Sequence, residues 1–256
     1  MMDVKGFLID LDGVLTIGNR AIDGAQGAID LLQKREIRFR CVSNTTRACR
    51  KTIAERLARL GFDIPEPSLF TPPLAAIAYM KSSGKQRCML VTTGDAYKDF
   101  EPTCDISGSA ATDYVVIGDA GDAMTYRLLN AAFSAVNAGA GILALEKDRS
   151  WMSPDGLMLA AGPFVAALEF ATGKTATVVG KPSPAFFEMA LNDMNVRPDQ
   201  AMMIGDDILT DIAGARSIGM RAALVRTGKF NDESLRSAPV KPDSVIDSIA
   251  KIRDLL

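Results

Sequence analysis

The sequence contains no histidine among its 256 residues. This absence excludes Ser-His-Asp and Cys-His catalysis, and it also excludes zinc sites that depend on histidine ligands. Proton transfer near neutral pH must then depend on carboxylates, lysine, tyrosine or metal-bound water. The search for catalytic groups therefore turns to the aspartates.

Cysteine is scarce, with four residues at positions 41, 49, 88 and 104 and no Cys-x-x-Cys pair. In a chain of this size the spacing predicts reduced thiols rather than a disulfide framework, and we expect a cytoplasmic protein. A catalytic thiol would need a partner base, which is usually histidine. We therefore do not expect thiol catalysis.

The sequence also lacks long apolar runs and any strong charge of one sign. No apolar stretch approaches the roughly 20 residues that a membrane span requires, and the N-terminus shows no signal-peptide pattern. The 29 basic and 31 acidic residues nearly balance. These features predict neither nucleic acid nor a membrane as a partner.

Short apolar runs alternate with segments of helical periodicity, which predicts an α/β protein with a mostly parallel sheet. We predict strands at 6–9, 39–42, 88–91, 114–117, 142–145, 176–179, 201–204 and 222–224. Caps and apolar spacing predict helices at 53–60, 126–136, 164–171 and 184–194. Two more helices are predicted from their starts, one after an Asp23 cap and one at Thr71-Pro72-Pro73. A last helix is predicted through Val245, Ile249 and Ile252. No linker composition marks a domain boundary.

The first segment of chemical interest is Asp-Leu-Asp-Gly at positions 10–13, directly after an apolar strand. Side chains two apart on a strand point the same way, so Asp10 and Asp12 can face one pocket. At about 4 Å and an effective dielectric near 20, their repulsion is about 4 kcal/mol. A divalent cation such as Mg²⁺ would relieve it. The alternative is a pair of solvated aspartates in a turn.

Two further segments also follow predicted strands. Ser43 and Asn44 begin a polar stretch whose backbone amides suit an anion, although the same residues could cap the next helix. Lys181 follows the strand at 176–179, where a phosphate dianion or a group of carboxylates would hold its charge. A solvent-exposed loop lysine is the alternative at that position.

The fourth segment contains three acids in six residues, Asp206, Asp207 and Asp211, after the apolar strand at 201–204. Acids near a helix N-terminus are stabilised by typically about 0.3–1 kcal/mol each, which could account for one of them. Metal coordination with further orienting carboxylates accounts better for all three. Together the four segments supply a nucleophile, an anion site, a cationic group and a metal site, which are the needs of phosphoryl transfer.

At these residues the sequence resembles the haloacid dehalogenase superfamily of phosphohydrolases, whose four motifs occur in the same order. The segments Gly-Lys-Pro-Ser-Pro at 180–184 and Gly-Ala…Gly-Met at 214–220 resemble its NagD-type branch. The resemblance implies a Rossmann-like parallel-sheet core with an inserted α/β cap. We expect the core at 1–80 and 177–256 and the cap at 81–176.

The resemblance implies a role for each acid. Asp10 would attack phosphorus and become an aspartyl phosphate, and Asp12 would protonate the leaving oxygen and then activate water. Mg²⁺ would be held by Asp10, the backbone carbonyl of Asp12 and Asp206. Asp207 or Asp211 would orient these ligands without binding the ion directly.

The remaining roles concern the substrate, which we expect to be a small phosphorylated compound. Ser43, Asn44 and Lys181 would bind the phosphoryl oxygens. In the cap, Arg149 and Trp151 would help to select the leaving group, although an exposed charged loop with a rim tryptophan is an equal alternative. Related caps also suggest a homodimer through the cap.

Other protein classes fit the sequence less well. A receiver-type signalling domain also uses an aspartyl phosphate, but its nucleophile lies on a mid-sheet strand in a chain about half as long. A nucleotide-dependent oxidoreductase would show Gly-x-Gly-x-x-Gly after the first strand. A phosphotransferase or mutase on the same core, and a catalytically weak regulatory or binding protein, remain alternatives.

Overall fold

The computed structural model describes residues 4–107, 111–153 and 156–256. The chain divides into two compact units. Unit 1 consists of Met1–Ser43, Ile53–Phe70 and Lys181–Leu256, and unit 2 consists of Asn44–Thr52 and Thr71–Gly180. The core and cap boundaries given above stay a prediction, and their positions 1–3, 108–110 and 154–155 lie outside the described residues.

The strands are β1 (Gly6–Asp10), β2 (Thr16–Ile17), β3 (Arg20–Ala21), β4 (Arg38–Val42), β5 (Leu69–Phe70), β6 (Cys88–Val91), β7 (Tyr114–Ile117), β8 (Gly141–Ala144), β9 (Ser150–Ser153), β10 (Gly156–Leu159), β11 (Thr177–Val178), β12 (Ala201–Gly205), β13 (Arg221–Val225) and β14 (Ser244–Ile246). The α-helices are α1 (Ala25–Lys34), α2 (Arg50–Arg59), α3 (Pro72–Ser82), α4 (Tyr97–Phe100), α5 (Tyr126–Asn137), α6 (Gly162–Thr172), α7 (Pro184–Met194), α8 (Ala213–Ser217) and α9 (Asp232–Ser237). Short 3₁₀ segments lie at Glu66–Ser68, Gly121–Ala123, Pro198–Gln200 and Ile249–Leu255, and a π-helical turn covers Ile208–Ile212. A helix long and apolar enough to cross a membrane does not occur among the described residues.

Unit 1 is built on a parallel sheet with the strand order β14-β13-β12-β1-β4-β5. Every residue of β1 is buried, as expected of a strand covered on both faces. Asp10 lies opposite Val42 of β4, and Ile9 lies opposite Ile204 of β12. This register places the carboxyl ends of β1, β4 and β12 at one edge of the sheet.

Unit 2 contains a second parallel sheet, with the order β11-β8-β7-β6, and an antiparallel pair formed by β9 and β10. Its apolar core joins Val91 of β6 and Val115 of β7 with Val136 of α5 and Val165 of α6. The alternation of short apolar strands and helices thus produces a parallel sheet in each unit, which confirms the predicted α/β class.

The strands that the sequence indicates are present, within one or two residues at their ends. Four features were not predicted: the β2–β3 hairpin, β5, the β9–β10 hairpin and β14. Each is short or partly exposed; Leu157 and Leu159 of β10, for example, are exposed. Such strands lack the apolar run that identifies a buried one.

Two helix assignments made from the sequence were wrong. Asp23 is not the cap of α1, because Gly24 takes the cap position in the left-handed conformation at φ 77°. The chain also does not end in one helix through Val245, since that residue lies in β14, which pairs with β13. Pairing with the edge of the sheet satisfies the backbone there, and a 3₁₀ segment follows at Ile249–Leu255.

Candidate active site

Three acidic side chains of unit 1, Asp10, Asp206 and Asp211, converge at the sheet edge where β1, β4 and β12 end. Asp10 is the last residue of β1, Ser43 follows β4, and Asp206 follows β12. Strand register alone brings these positions together, because the carboxyl ends of neighbouring parallel strands meet. The convergence agrees with the predicted site.

Lys181 lies at the centre of this site and is 3% exposed. Its Nζ donates hydrogen bonds to Asp10 Oδ1 and to Asp211 Oδ1, each at 2.6 Å. Burial alone would lower the pKa of Lys181, but the two carboxylates outweigh it and raise that pKa. The lysine therefore carries a firmly held positive charge between two acids.

Asp211 has both of its oxygens engaged. While Oδ1 accepts from Lys181, Oδ2 accepts hydrogen bonds from the backbone amides of Asp206 and Asp207, each at 3.2 Å. The side chain is completely buried. This arrangement orients Lys181 and the start of the segment after β12.

Asp10, Asp206 and Asp211 each place a carboxylate oxygen within 4.8 Å of the others, and we call these three residues the acidic cluster. Burial raises the pKa of Asp10 well above its usual value, with Lys181 opposing and Asp211 adding to the rise. Burial and repulsion from Asp211 raise the pKa of Asp206 to about 6, although the Lys229 amide opposes the rise. A single lysine bridge does not offset the charge of the cluster.

Asp207 lies next to the cluster and caps the π-helical turn. Its Oδ1 accepts from the amides of Leu209 at 2.9 Å and Thr210 at 3.2 Å, and its Oδ2 lies 3.3 Å from Lys229 Nζ. Burial alone would raise its pKa, but the Leu209 amide and Lys229 lower it. Asp207 is therefore held as a carboxylate by its own partners.

Asp12 differs from the cluster because its side chain is 58% exposed. Its Oδ1 accepts a hydrogen bond from Thr16 Oγ1 at 3.3 Å and lies 3.6 Å from Arg56 Nη2. Gly13 follows with φ 91°, and a side chain there would overlap the Asp206 carboxylate. The turn thus directs Asp12 outward while the backbone packs tightly against Asp206.

Ser43 is buried at the end of β4, in unit 1, whereas Asn44 begins the first segment of unit 2. The interpretation that this polar stretch caps the next helix is wrong. At the start of α2 the amides of Cys49 and Arg50 donate to Asp95 and Asp99. These two acids are farther along the chain, and only the tertiary fold brings them to α2.

Arg149 and Trp151 lie in unit 2, at the end of an exposed loop and in β9. The loop is fixed by Glu146, a buried carboxylate that accepts from the amides of Asp148 at 2.5 Å and Ala161 at 2.6 Å. The predicted role of Arg149 and Trp151 in leaving-group selection stays a prediction.

Sequence reasoning missed four residues that touch the site: Thr16, Arg56, Thr227 and Lys229. Thr227 and Lys229 could have been found from the sequence, because they follow the apolar strand β13. The other polar segments of the site also follow apolar strands. Arg56 carried no such signal, since it lies within α2 and its ion pair with Asp12 depends on the tertiary fold.

The arrangement combines a buried carboxylate at a strand end, a lysine that contacts it, and further acids that can hold a divalent cation. Such a set can support nucleophilic attack on phosphorus with charge stabilisation by lysine and metal. Cys41 is also buried, and burial and Asp10 raise the pKa of its thiol, which disfavours the thiolate that nucleophilic attack requires.

Two family models match the chain. Residues 7–107 match the model described as haloacid dehalogenase-like hydrolase, and residues 178–252 match the model described as HAD-hydrolase-like. These ranges contain Asp10, Ser43, Lys181 and Asp206. The family resemblance inferred from the four motifs is thereby confirmed.

Full-length relatives support the same assignment. The phospholysine phosphohistidine inorganic pyrophosphate phosphatase of Homo sapiens is 38% identical, over 99% of this chain and 94% of that protein. Haloacid dehalogenase-like hydrolase domain-containing protein 2 of Homo sapiens is 40% identical, over 92% of this chain and 90% of that protein.

Solved structures agree in fold along the whole chain. The p-nitrophenyl phosphatase from Archaeoglobus fulgidus has a TM-score of 0.91 at 25% identity and covers 99% of this chain and 100% of its own. NagD from E. coli K-12 has a TM-score of 0.88 at 24% identity and covers 98% of both chains, which shows the shared fold. The chain belongs to the haloacid dehalogenase-like hydrolase family and is a phosphoric-monoester hydrolase.

Proposed function

We propose that this protein is a magnesium-dependent phosphatase that hydrolyses a small phosphorylated substrate through an aspartyl phosphate on Asp10. The observation that carries the proposal is the buried bridge from Lys181 to Asp10 and Asp211, at 2.6 Å on each side. A buried carboxylate fixed by a lysine at a sheet edge suits a nucleophile that must meet an anionic group.

The donor set fits a magnesium ion. The acidic cluster supplies only oxygen ligands, which Mg²⁺ prefers, and its charge exceeds that of Lys181. Burial, together with repulsion from Asp211, raises the pKa of Asp206 to about 6. We propose Asp10, the Asp12 carbonyl and Asp206 as the residues that hold the ion, because Asp211 already uses both oxygens.

Magnesium, when bound, would neutralise charge on the transferring phosphoryl group. The protein's own residues perform the bond changes. A carboxylate oxygen of Asp10 attacks phosphorus, the bond from phosphorus to the leaving oxygen breaks, and Asp12 gives its proton to that oxygen. The products of this half-reaction are the aspartyl phosphate and the free alcohol.

The second half-reaction returns both aspartates to their starting states. Asp12, now a carboxylate, takes a proton from water as the water oxygen attacks phosphorus. The bond between phosphorus and the Asp10 oxygen breaks, which releases inorganic phosphate. The exposed position of Asp12 suits both steps, because it must reach the leaving group and then water.

The phosphoryl oxygens would be bound by Ser43, Asn44 and Lys181. Lys181 would stabilise negative charge near Asp10 with the same ammonium that orients the nucleophile. Ser43 is buried directly beyond β4, beside the strand that carries Asp10. The positions of Ser43 and Lys181 in unit 1 support an anion site for one phosphoryl group.

The substrate class follows from the relatives only in outline. One of them is named for phospholysine, phosphohistidine and inorganic pyrophosphate, and another for p-nitrophenyl phosphate. We propose that this chain also accepts small phosphate esters, with pyrophosphate and phosphoamino acids as further candidates. Homodimer formation through the cap and a cytoplasmic location stay predictions.

An aryl phosphate assay tests the nucleophile. We expect p-nitrophenyl phosphate hydrolysis by the wild type and a loss of about 10⁴-fold or more in Asp10→Asn. Because Asn retains the shape of Asp, circular dichroism should show that the variant folds. Full activity in the folded variant would contradict the assignment of Asp10.

A chelation series tests the metal. EDTA should abolish hydrolysis and added Mg²⁺ should restore it. Activity that survives complete removal of divalent cations would contradict the metal proposal but leave the Asp10 assignment open to its own test. A panel of sugar phosphates, nucleotides, pyrophosphate and phosphoamino acids then ranks the substrates.

A further inference from the structure

A polar turn of Thr227, Gly228 and Lys229 follows β13, and we call it the 227–229 turn. It contacts two of the predicted motif segments, although the proposed mechanism gives it no role. Thr227 Oγ1 donates a hydrogen bond to the carbonyl of Gly13 at 2.5 Å. The amide of Lys229 donates to Asp206 Oδ2 at 2.7 Å.

Gly228 allows this close approach. Its φ is 65°, in the left-handed region, and a side chain there would overlap both the Asp206 carboxylate and the Gly13 backbone. Gly13 excludes a side chain against the same carboxylate. The Oδ2 side of Asp206 is therefore enclosed by backbone from two loops, which limits the rotation of that carboxylate.

The Lys229 side chain makes a separate contact, with Asp207. Its Nζ lies 3.3 Å from Asp207 Oδ2, while Asp207 Oδ1 is already used in capping the π-helical turn. The lysine side chain is 73% exposed. Burial alone would lower the pKa of Lys229, but Asp207, Asp206 and Asp10 raise it. The ammonium therefore lies within the field of the acidic cluster.

We propose that the 227–229 turn positions Asp206 for cation binding, and that the Lys229 ammonium reduces the negative charge that the cation meets. The inference rests on the proposed function, because it assumes that Asp206 holds the metal. With Oδ2 held by the Lys229 amide, Oδ1 is the oxygen left to face the cation.

The two parts of the turn act on cation affinity in opposite directions. A fixed carboxylate loses less freedom when the ion binds, so the Thr227 hydroxyl and the Lys229 amide strengthen binding. The exposed ammonium repels a divalent cation through water and salt. Solvent screening limits that repulsion to about a threefold change in affinity.

The same ammonium has the opposite effect on the substrate. A phosphate dianion is attracted by a lysine at the rim of an acid-rich site, whose carboxylates would otherwise repel it. Lys229 thus lowers the affinity for the cation and raises the affinity for the substrate. A residue that only stabilised the loop would not change cation affinity and substrate affinity in opposite directions.

Isothermal titration calorimetry with MgCl₂ and no substrate tests both parts. We expect Lys229→Met, which keeps the amide, to bind Mg²⁺ about threefold more tightly and to raise the KM for p-nitrophenyl phosphate by a similar factor. Lys229→Arg should restore wild-type values. Thr227→Val, which removes only the hydroxyl donor, should weaken Mg²⁺ binding by about threefold.

Lys251→Met is the matched control, because Lys251 is an exposed lysine of unit 1 outside the site; it should leave both quantities unchanged. Unchanged or weaker Mg²⁺ binding in Lys229→Met, or an unchanged KM, would overturn the charge role. Unchanged binding in folded Thr227→Val would overturn the positioning role. A wild type that neither binds Mg²⁺ nor hydrolyses the aryl phosphate would instead remove the proposed function, and the inference with it.

Discussion

The acids of the two units differ in how their charges are balanced. In unit 2, Asp95 accepts from the Thr52 hydroxyl at 2.6 Å and the Cys49 amide at 2.9 Å. Glu146 accepts from two backbone amides. Each of these carboxylates has its own donors and fixes a piece of backbone.

In unit 1 the three acids of the acidic cluster are crowded instead of separately satisfied. Asp10 and Asp211 share Lys181, and Asp206 lies within 4.8 Å of both. Burial lifts the pKa of Asp206 to about 6, whereas hydrogen bonds overcome burial and lower that of Asp95 to about 2. Strongly perturbed pKa values among crowded, buried acids are typical of functional sites.

The largest effect should come from Lys181→Met, which leaves two buried carboxylates without their cation. Removing one partner of a buried ion pair typically costs about 3–5 kcal/mol. We expect a fall of this size in the free energy of unfolding in EDTA, measured by urea denaturation, together with loss of phosphatase activity.

The double variant Lys181→Met/Asp211→Asn is the control for this prediction. It removes one uncompensated charge, so part of the lost stability should return while activity stays low. If the single variant were as stable as the wild type, the shared lysine would not be balancing the acids, and the contrast with unit 2 would fail.

The pH dependence of stability should have opposite slopes for Asp206 and Asp95. The pKa of Asp206 is higher in the folded state, about 6 against an ordinary 3.8. The folded protein therefore holds this proton more tightly, and it loses stability as the pH rises from about 4 to 6. The loss amounts to about 3 kcal/mol.

Urea denaturation in EDTA across this range measures the slope, and Asp206→Asn is its control. The variant should lack the loss between pH 4 and 6, because Asn has no proton to release. Added Mg²⁺ should offset the loss in the wild type, since the ion binds the carboxylate form. Equal slopes in the wild type and the variant would contradict the raised pKa assigned to Asp206.

Asp95→Asn should destabilise the protein, in contrast to Asp206→Asn. The pKa of Asp95 is lowered in the folded state, so its contribution is present above pH 4 and disappears as the pH falls through about 2. Because the side chain is partly exposed, we expect a loss of about 1–2 kcal/mol at pH 7. Thr52→Val, which removes one donor, should show part of it, and a stabilised Asp95→Asn would contradict the structural role.

Much of the candidate site could be predicted from the sequence. Asp10, Ser43, Lys181 and Asp206 each follow an apolar strand, and parallel strands bring their carboxyl ends together whatever lies between them. The order of the motifs then indicated the family. Strand patterning was therefore enough to find the candidate site.

Contacts between distant residues could not be read in this way. Lys181 is 171 residues from Asp10 and 30 from Asp211, and neither separation indicates which acids share the lysine. The capping of α2 by Asp95 and Asp99 was equally hidden, because both lie more than 40 residues away in the chain. Local signals instead favoured Asp23 as a cap, where Gly24 provides the turn.

The smallest effect should come from Arg149→Ala, which tests whether unit 2 selects the leaving group while unit 1 performs the chemistry. Glu146 accepts hydrogen bonds from the amides of Asp148 and Ala161 and so fixes the backbone next to Arg149. We expect kcat/KM for pyrophosphate, whose leaving group is anionic, to fall by about tenfold, or about 1.4 kcal/mol. The value for p-nitrophenyl phosphate should fall less.

Lys147→Ala is the control, because it removes an equal charge from the same loop. Lys147 pairs with Glu169 at 2.7 Å, so this variant should leave the ranking of substrates unchanged. An unchanged ranking in Arg149→Ala would show that this loop does not select the substrate. Glu146 would then have a structural role only.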